Sequence, residues 1–214
     1  MVLSPKFAPP LLPELVLQDS SVLGPRAVIE AALFDGDAWK DLDLTDVVLS
    51  ESRLDGVSIS DTVLRGIRVS ECEIEGLNAP ILAAGRSQWR DTSILRSRIG
   101  SAELFDADLS MVRIESSKIG YLNLRSATLN SVIISGCTID ELDLGGVRAK
   151  RVAIVDCQLG TLDVTRAQLT DVDLRGSTLR SIVGIEGLRG ATVDNDQLSA
   201  LAEHLASAAG ILVD

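Results

Sequence analysis

The sequence predicts an all-β chain wound as a right-handed, four-sided parallel β-helix (solenoid), with a short C-terminal α-helix. Three observations carry that expectation. From Leu44 to Leu179 every fifth residue is apolar, 28 positions in succession. The residue two before each of these centres is never charged, and the 21 acidic and 16 basic residues between Asp41 and Arg180 all fall in the other three columns. Side chains also return every twenty residues, as Val112, Val132, Val152 and Val172 do, and Leu122, Leu142 and Leu162.

With 46% of the chain apolar, so long a run arises by chance with a probability on the order of 10⁻⁹, so the pattern is a repeat. A straight helix cannot use it, because a five-residue step turns an apolar stripe by about 140° around the axis. A straight strand sends every second centre to the wrong face. A short in-out-in segment followed by a corner satisfies both columns, and repetition winds it into a coil that turns two side chains in and three out. The twenty-residue return makes four such segments one coil. Twenty-eight segments give seven coils, a rod of about 34 Å at roughly 4.8 Å per coil. The expected hand is right, as it is for parallel crossovers of L-residues.

Stretches such as Leu42-Asp43-Leu44-Thr45-Asp46, Ala107-Asp108-Leu109-Ser110-Met111 and Val172-Asp173-Leu174-Arg175-Gly176 resemble the motif of the pentapeptide-repeat proteins, in which a small residue, Asp or Asn, and Leu or Phe precede two polar residues. The chain departs from that motif in having almost no central Phe and many Ser, Thr, Glu or Arg residues where Asp or Asn is usual. The resemblance implies the quadrilateral β-helix. It also implies one candidate partner, because quinolone-resistance members of the family are dimeric acidic rods that imitate duplex DNA and occupy the DNA-binding saddle of DNA gyrase.

Taken in order, residues 1–40 are an N-terminal capping segment with a distorted first coil. Pro5, Pro9, Pro10, Pro13 and Pro25 exclude a helix of any length. Leu11, Leu12, Leu15, Val16 and Leu17 are expected against the first coil, where an open solenoid end exposes core and strand edges. The five-residue frame starts near Arg26, but Asp37 in an inner position predicts distortion. Residues 41–193 form the repeat solenoid. Within it Ala79, Ala84, Trp89 and Ile94 share one coil, small centres offsetting a large one, and Pro80 sits near a corner where a missing N–H does least harm. The frame fails at Gly184, and Leu188 to Val193 reads as a last strand. Residues 194–214 are a helix and tail: Asp194 and Gln197 make a capping-box pattern and Gly210 ends the helix. Leu198, Leu201, Ala202 and Leu205 share a face with Ala208 and Ala209 at its edge. That face either plugs the solenoid end or pairs with its twin in a homodimer through Leu198, Leu201 and Leu205, the arrangement the resemblance implies.

The sequence carries no sign of catalysis. His204 is the one histidine, and GxGxxG, P-loop, CxxC, HExxH and EF-hand patterns are absent, so no enzyme activity, cofactor or metal is expected. A core of Leu and Ile leaves no interior pocket for a substrate. Cys72, Cys137 and Cys157 lie in the inner small column and read as core residues, with parallel Cβ vectors that disfavour a Cys137–Cys157 disulfide. No apolar run reaches membrane-spanning length and no signal pattern opens the chain, so the expected location is cytoplasmic, away from membranes.

The net charge of −11 divides into −2 for residues 1–40, −5 for residues 41–180 and −4 for residues 181–214. No basic face exists beyond Arg148, Lys150 and Arg151, which argues against direct nucleic-acid binding. The solenoid sides named by Leu44, Leu49, Leu54 and Ile59 sum to −2, 0, −2 and 0. A mimic of a polyanion needs a continuous negative stripe. The expected function is therefore a non-enzymatic module that binds a protein partner, with the gyrase-directed DNA mimic as the alternative. Asp43, Asp46, Glu103, Asp106, Asp143 and Asp163 on the Leu44 side are the candidate acidic partner surface. Leu95, Ile133 and Val155, with Ala153, are a candidate apolar patch on the Leu54 side.

Overall fold

The computed structural model describes residues 2–208 and 210–212. Its strands fall into parallel sheets of thirteen and eight strands. Along the rod each strand pairs with the one twenty residues later, as in Trp89↔Leu109, Leu109↔Leu129 and Leu129↔Ala149. The result is a parallel β-solenoid of about nine turns with one C-terminal helix.

Four faces follow from the corners. In the early coils a left-handed residue recurs every five positions, as at Asp46, Glu51, Gly56 and Asp61. Such φ values cost an L-residue about 1–2 kcal/mol, and stacking offsets that cost: the Asp46, Glu51 and Gly56 amides donate to Arg65, Ser70 and Glu75 carbonyls one coil on, at 3.0, 3.0 and 2.8 Å. From Pro80 onward one corner per coil loses the positive φ, and the chain runs through it as a six-residue strand such as Arg98–Glu103. Coils come close there. A Cβ on Gly100, Gly120 or Gly160 would lie 2.3–2.5 Å from a carbonyl oxygen of the coil beneath.

The interior is filled as the columns require. Twenty-seven of the 28 centres are buried and Leu179 is half-buried, because it sits in the last full coil. Polar residues of the small column satisfy themselves on the backbone. Ser97 Oγ donates to the Leu95 carbonyl at 2.9 Å and accepts the Leu77 amide at 3.2 Å, and Ser117 Oγ accepts the Ser97 amide at 3.0 Å. In the same column Cys157 Sγ accepts the Cys137 amide at 3.4 Å and Ser177 Oγ accepts the Cys157 amide at 3.0 Å. All three thiols are free and buried. Burial pushes Cys72 up to about 12, and the neighbouring Cys137 sulfur together with burial pushes Cys157 up as well.

The two ends differ from the sequence expectation in detail. The first coil keeps the twenty-residue register, Val28–Glu30 on Val48–Ser50 and Ala38–Lys40 on Ser58–Ser60, so its backbone is regular. Phe34 and Trp39 fill it edge to face, with centroids 5.2 Å apart. The irregularity is local to side chains: Asp37 Oδ2 and Trp39 Nε1 are buried without partners. At the other end Ile185–Leu188 is a 3₁₀ turn after left-handed Gly184, and only Ala191–Thr192 forms the last strand, nineteen rather than twenty residues beyond Val172–Asp173. Helix α1, Asn195–Ala208, then closes the stack. Its capping box is complete, because Asp194 Oδ1 accepts the Gln197 amide and Gln197 Oε1 accepts the Asp194 amide, each at 2.8 Å. Buried Gln197 also donates through Nε2 to the carbonyls of Leu174 and Ser177 at 2.6 Å, capping the end of the solenoid. Ala209 lies outside the described residues.

The N-terminal segment does not cross the open end. Val16–Leu17 pairs beneath Ala32–Leu33, and from there the chain climbs the Leu54 face. Phe7 lies against Arg113, whose guanidinium carbon is 5.9 Å from the ring centroid, and the Leu3 amide reaches Asp171 Oδ1 at 3.4 Å. Leu12 and Leu15 are half-buried, whereas Leu11, Val16 and Leu17, expected against the first coil, are exposed.

Candidate interaction faces

With the interior full, chemistry is left to the outer columns. On the Leu44 face the twenty-residue column Glu103, Asn123, Asp143, Asp163 sets carboxylates one above another, and like charges so placed need counterions. Arg125 supplies one. Its guanidinium reaches Asp143 Oδ2 at 2.8 Å and Asp163 Oδ2 at 3.3 Å, tying three coils. Asp143 is buried, accepting also the Gly145 amide at 2.7 Å and the Tyr121 hydroxyl at 3.3 Å. Burial and the Asp143 charge push Tyr121 up to about 12. Burial raises Asp163, but the Thr165 amide and hydroxyl and Arg125 outweigh it and hold the carboxyl below its ordinary range. Glu103 accepts from Ser101 Oγ and from Asn123 Nδ2, both at 2.7 Å.

The six acids named from the sequence therefore do not form one free surface. Glu103, Asp143 and Asp163 belong to this internal lattice, and Asp106 stands 3.9 Å from Arg86. Asp43 is exposed and lies lower on the rod, where Thr45 donates to it through both its amide, at 3.0 Å, and its hydroxyl, at 2.6 Å, and holds it below its ordinary range. Asp46 occupies a left-handed corner and is exposed. Sequence reading missed Arg125, Tyr121 and Asn123. The signal was present: once the coil is twenty residues long, 123 joins 103, 143 and 163 in one column and 125 stands beside it.

Each coil on this face and its neighbours thus repeats one unit of five residues, two turned in and three out, four units to a turn. The fold is that of a pentapeptide-repeat protein. No family model matches the sequence, and no curated protein matches it. Among solved structures the chain is similar to full-length QnrB1, a plasmid-mediated fluoroquinolone resistance protein, at 18% identity over 84% of this chain and 99% of that one, with a TM-score of 0.31. It is also similar to HetL, a pentapeptide-repeat protein involved in heterocyst differentiation regulation from the cyanobacterium Nostoc sp. strain PCC 7120, at 16% identity over 79% and 88% of the two chains, with a TM-score of 0.39.

On the Leu54 face of this pentapeptide-repeat rod, Leu95, Ile133 and Val155 are half-buried and Ala153 is buried. Among outward apolar residues of the other faces, Val63 and Ile81 are 46% and 56% exposed and Val48 is half-buried. The N-terminal segment follows this face from Val16 to Leu3, touching it at Arg113 and Asp171. Lower down, the same face carries Arg53 with Asp55, Glu73 and Glu75 at 3.5–3.6 Å. Arg96 also pairs with Glu75 and holds that carboxyl below its ordinary range.

Helix α1 divides its leucines. Leu201 is buried against the end of the solenoid, whereas Leu198 and Leu205 are exposed. Among the described residues no group of His, Cys, Asp and Glu could hold a metal, and no helix is long and apolar enough to cross a membrane. The Arg148, Lys150 and Arg151 cluster is tied to the coil beneath, Arg148 to Thr128 at 3.3 Å and Arg151 to Asn130 at 2.7 Å.

Proposed function

We propose that the chain is a non-enzymatic docking rod that acts in the cytoplasm by binding a protein partner through its outer faces. The observation that carries this reading is the filled core: among the described residues 27 of 28 centres are buried, so the interior is taken up by the chain's own apolar side chains and the outer faces are what a partner meets. The test is to place a photo-reactive side chain in turn on each of the four faces. A docking rod yields one crosslinked partner from one face, and equal background from all four would sink the reading.

A second reading, the DNA mimic directed at DNA gyrase, is favoured by the net charge of −11 on a narrow rod and by exposed Leu198 and Leu205, which offer a homodimer contact. Against it stands the Arg125 lattice, which engages Asp143 and Asp163 and breaks the continuity of negative charge along the Leu44 face. A supercoiling assay with purified gyrase, with and without a quinolone, separates the two readings. The mimic requires inhibition that weakens when the exposed Asp43, Asp46 and Asp106 are changed to Asn and that falls steeply with salt.

A further inference from the structure

We infer that the Leu54 face is a docking site for an extended, proline-punctuated apolar segment of a partner protein, and that the chain's own residues 2–15 run along it as a built-in competitor. The inference deepens the docking-rod reading, on which it rests, by naming the face and the chemistry of its occupant.

The first support is the way the segment is held. Val2, Pro5, Phe7, Pro10, Leu12 and Leu15 turn half-buried toward the rod while their neighbours point out. Residues 2–15 make no backbone–backbone hydrogen bond among the described residues, and the weak Leu3 contact to Asp171 at 3.4 Å anchors the far end. Side-chain burial alone holds most of the length. Prolines suit such a segment, since they have no amide to satisfy and little backbone freedom to lose.

The second support is the face itself. Outward columns of a solenoid are polar by default, and here Ile133, Ala153 and Val155 interrupt that pattern over consecutive coils, with Leu95 lower on the same face. Arg113 lies one coil below Ile133, its guanidinium paired with Glu115 and turned to the Phe7 ring, and its Nε buried without a hydrogen-bond acceptor. The face thus asks for three things in a row: an aromatic ring at Arg113, small or branched apolar groups over Ile133 to Val155, and an N–H at Asp171. Any partner segment supplying them competes with the strap for one surface. Its apparent affinity is set by the fraction of time the strap is off.

The experiment uses the full chain with the strap loosened by Phe7→Ser and Leu12→Ser, and a fluorescent synthetic peptide of residues 2–17 as the probe. The expected result is binding at least about tenfold tighter to the loosened chain than to the parent. Trypsin should also cut faster after exposed Lys6, with an unchanged circular dichroism melt. Adding Ile133→Glu, or Val155→Glu should the first variant fold poorly, should return binding to the parental level or below. A folded, loosened chain that fails to bind the peptide overturns the inference, as does binding indifferent to both face variants. Loosened chains that exchange straps into dimers by light scattering would overturn it in favour of a second copy as occupant. Because the assay contains no cellular partner, its failure leaves the docking-rod reading to its own test.

Discussion

The middle coils and the two ends of this rod are held by different means. Around Ile134 the inward side chains have like neighbours twenty residues before and after, Ile114 and Ile154 for Ile134 and Val112 and Val152 for Val132, so each core contact is made twice. At the ends each contact is made once. One Gln197 side chain reaches both the Leu174 and Ser177 carbonyls, Phe34 and Trp39 fill the first coil as a single pair, and the strap meets Arg113 and Asp171 once each. A repeat can specify its interior by copying, but it cannot specify where to stop.

The strongest way to break the comparison is to damage the copied part. Ile134→Asp or Ile154→Asp places an unpaired charge between apolar coils at sites of no exposure, and should leave no folded protein by circular dichroism. Either variant melting like the parent would mean that the five-residue frame is misassigned. Next in size is loss of a whole end. A chain truncated after Val193 should halve in mass by light scattering if Leu198 and Leu205 pair with a second copy, and an unchanged mass in a soluble truncated chain would leave α1 as a plug.

A single end contact should cost less. Gln197→Ala removes two buried hydrogen bonds and half of the capping box, about 1–3 kcal/mol, or a fall in Tm of several degrees for a chain of this size. Amides of Thr178–Val183 should then exchange faster while those of Thr128–Ser135 do not change. Equal acceleration in both would erase the distinction between middle and end.

The smallest effect is expected on the Leu44 face. Arg125→Gln should lower Tm by about 1–3 °C, since the guanidinium is largely solvated. Asp163 has its folded pKa depressed below the ordinary 3.8. Its contribution is therefore fully present above 3.8 and lost as pH falls through the lower folded value. Melts recorded from pH 5 downward should show a shallower loss in the Arg125 variant, and parallel curves would show that the pair adds nothing to folding.

What could be read from the sequence follows the same division. The apolar centres, the uncharged second column, the Asp194–Gln197 box and the buried thiols were all legible, because each follows from a period or a known cap. Asp37 misled. It reads as a break in the frame, yet Ala38–Lys40 is an edge strand of its sheet, with a neighbour on one side only, and the carboxylate is accommodated without shifting the register. The strap was not legible in its course. Its prolines excluded a helix, but nothing in a non-repeating segment says which of four faces it will follow. The Arg125 lattice lay between, hidden until coil length converts sequence separations of 18 and 38 into adjacency.

The strap also spans a set number of coils. Coils are interchangeable, so duplicating or deleting twenty residues would preserve every column, and the stack could drift in length by steps of about 4.8 Å over generations. The stretch from Phe7 to Leu3 spans about 13 Å when fully drawn out, and the three coil steps from Arg113 to Asp171 rise about 14 Å. There is no slack for a fourth. A duplication above Arg113 would strand Leu3 below its acceptor, so the segment works as a gauge that registers the gain or loss of a single turn.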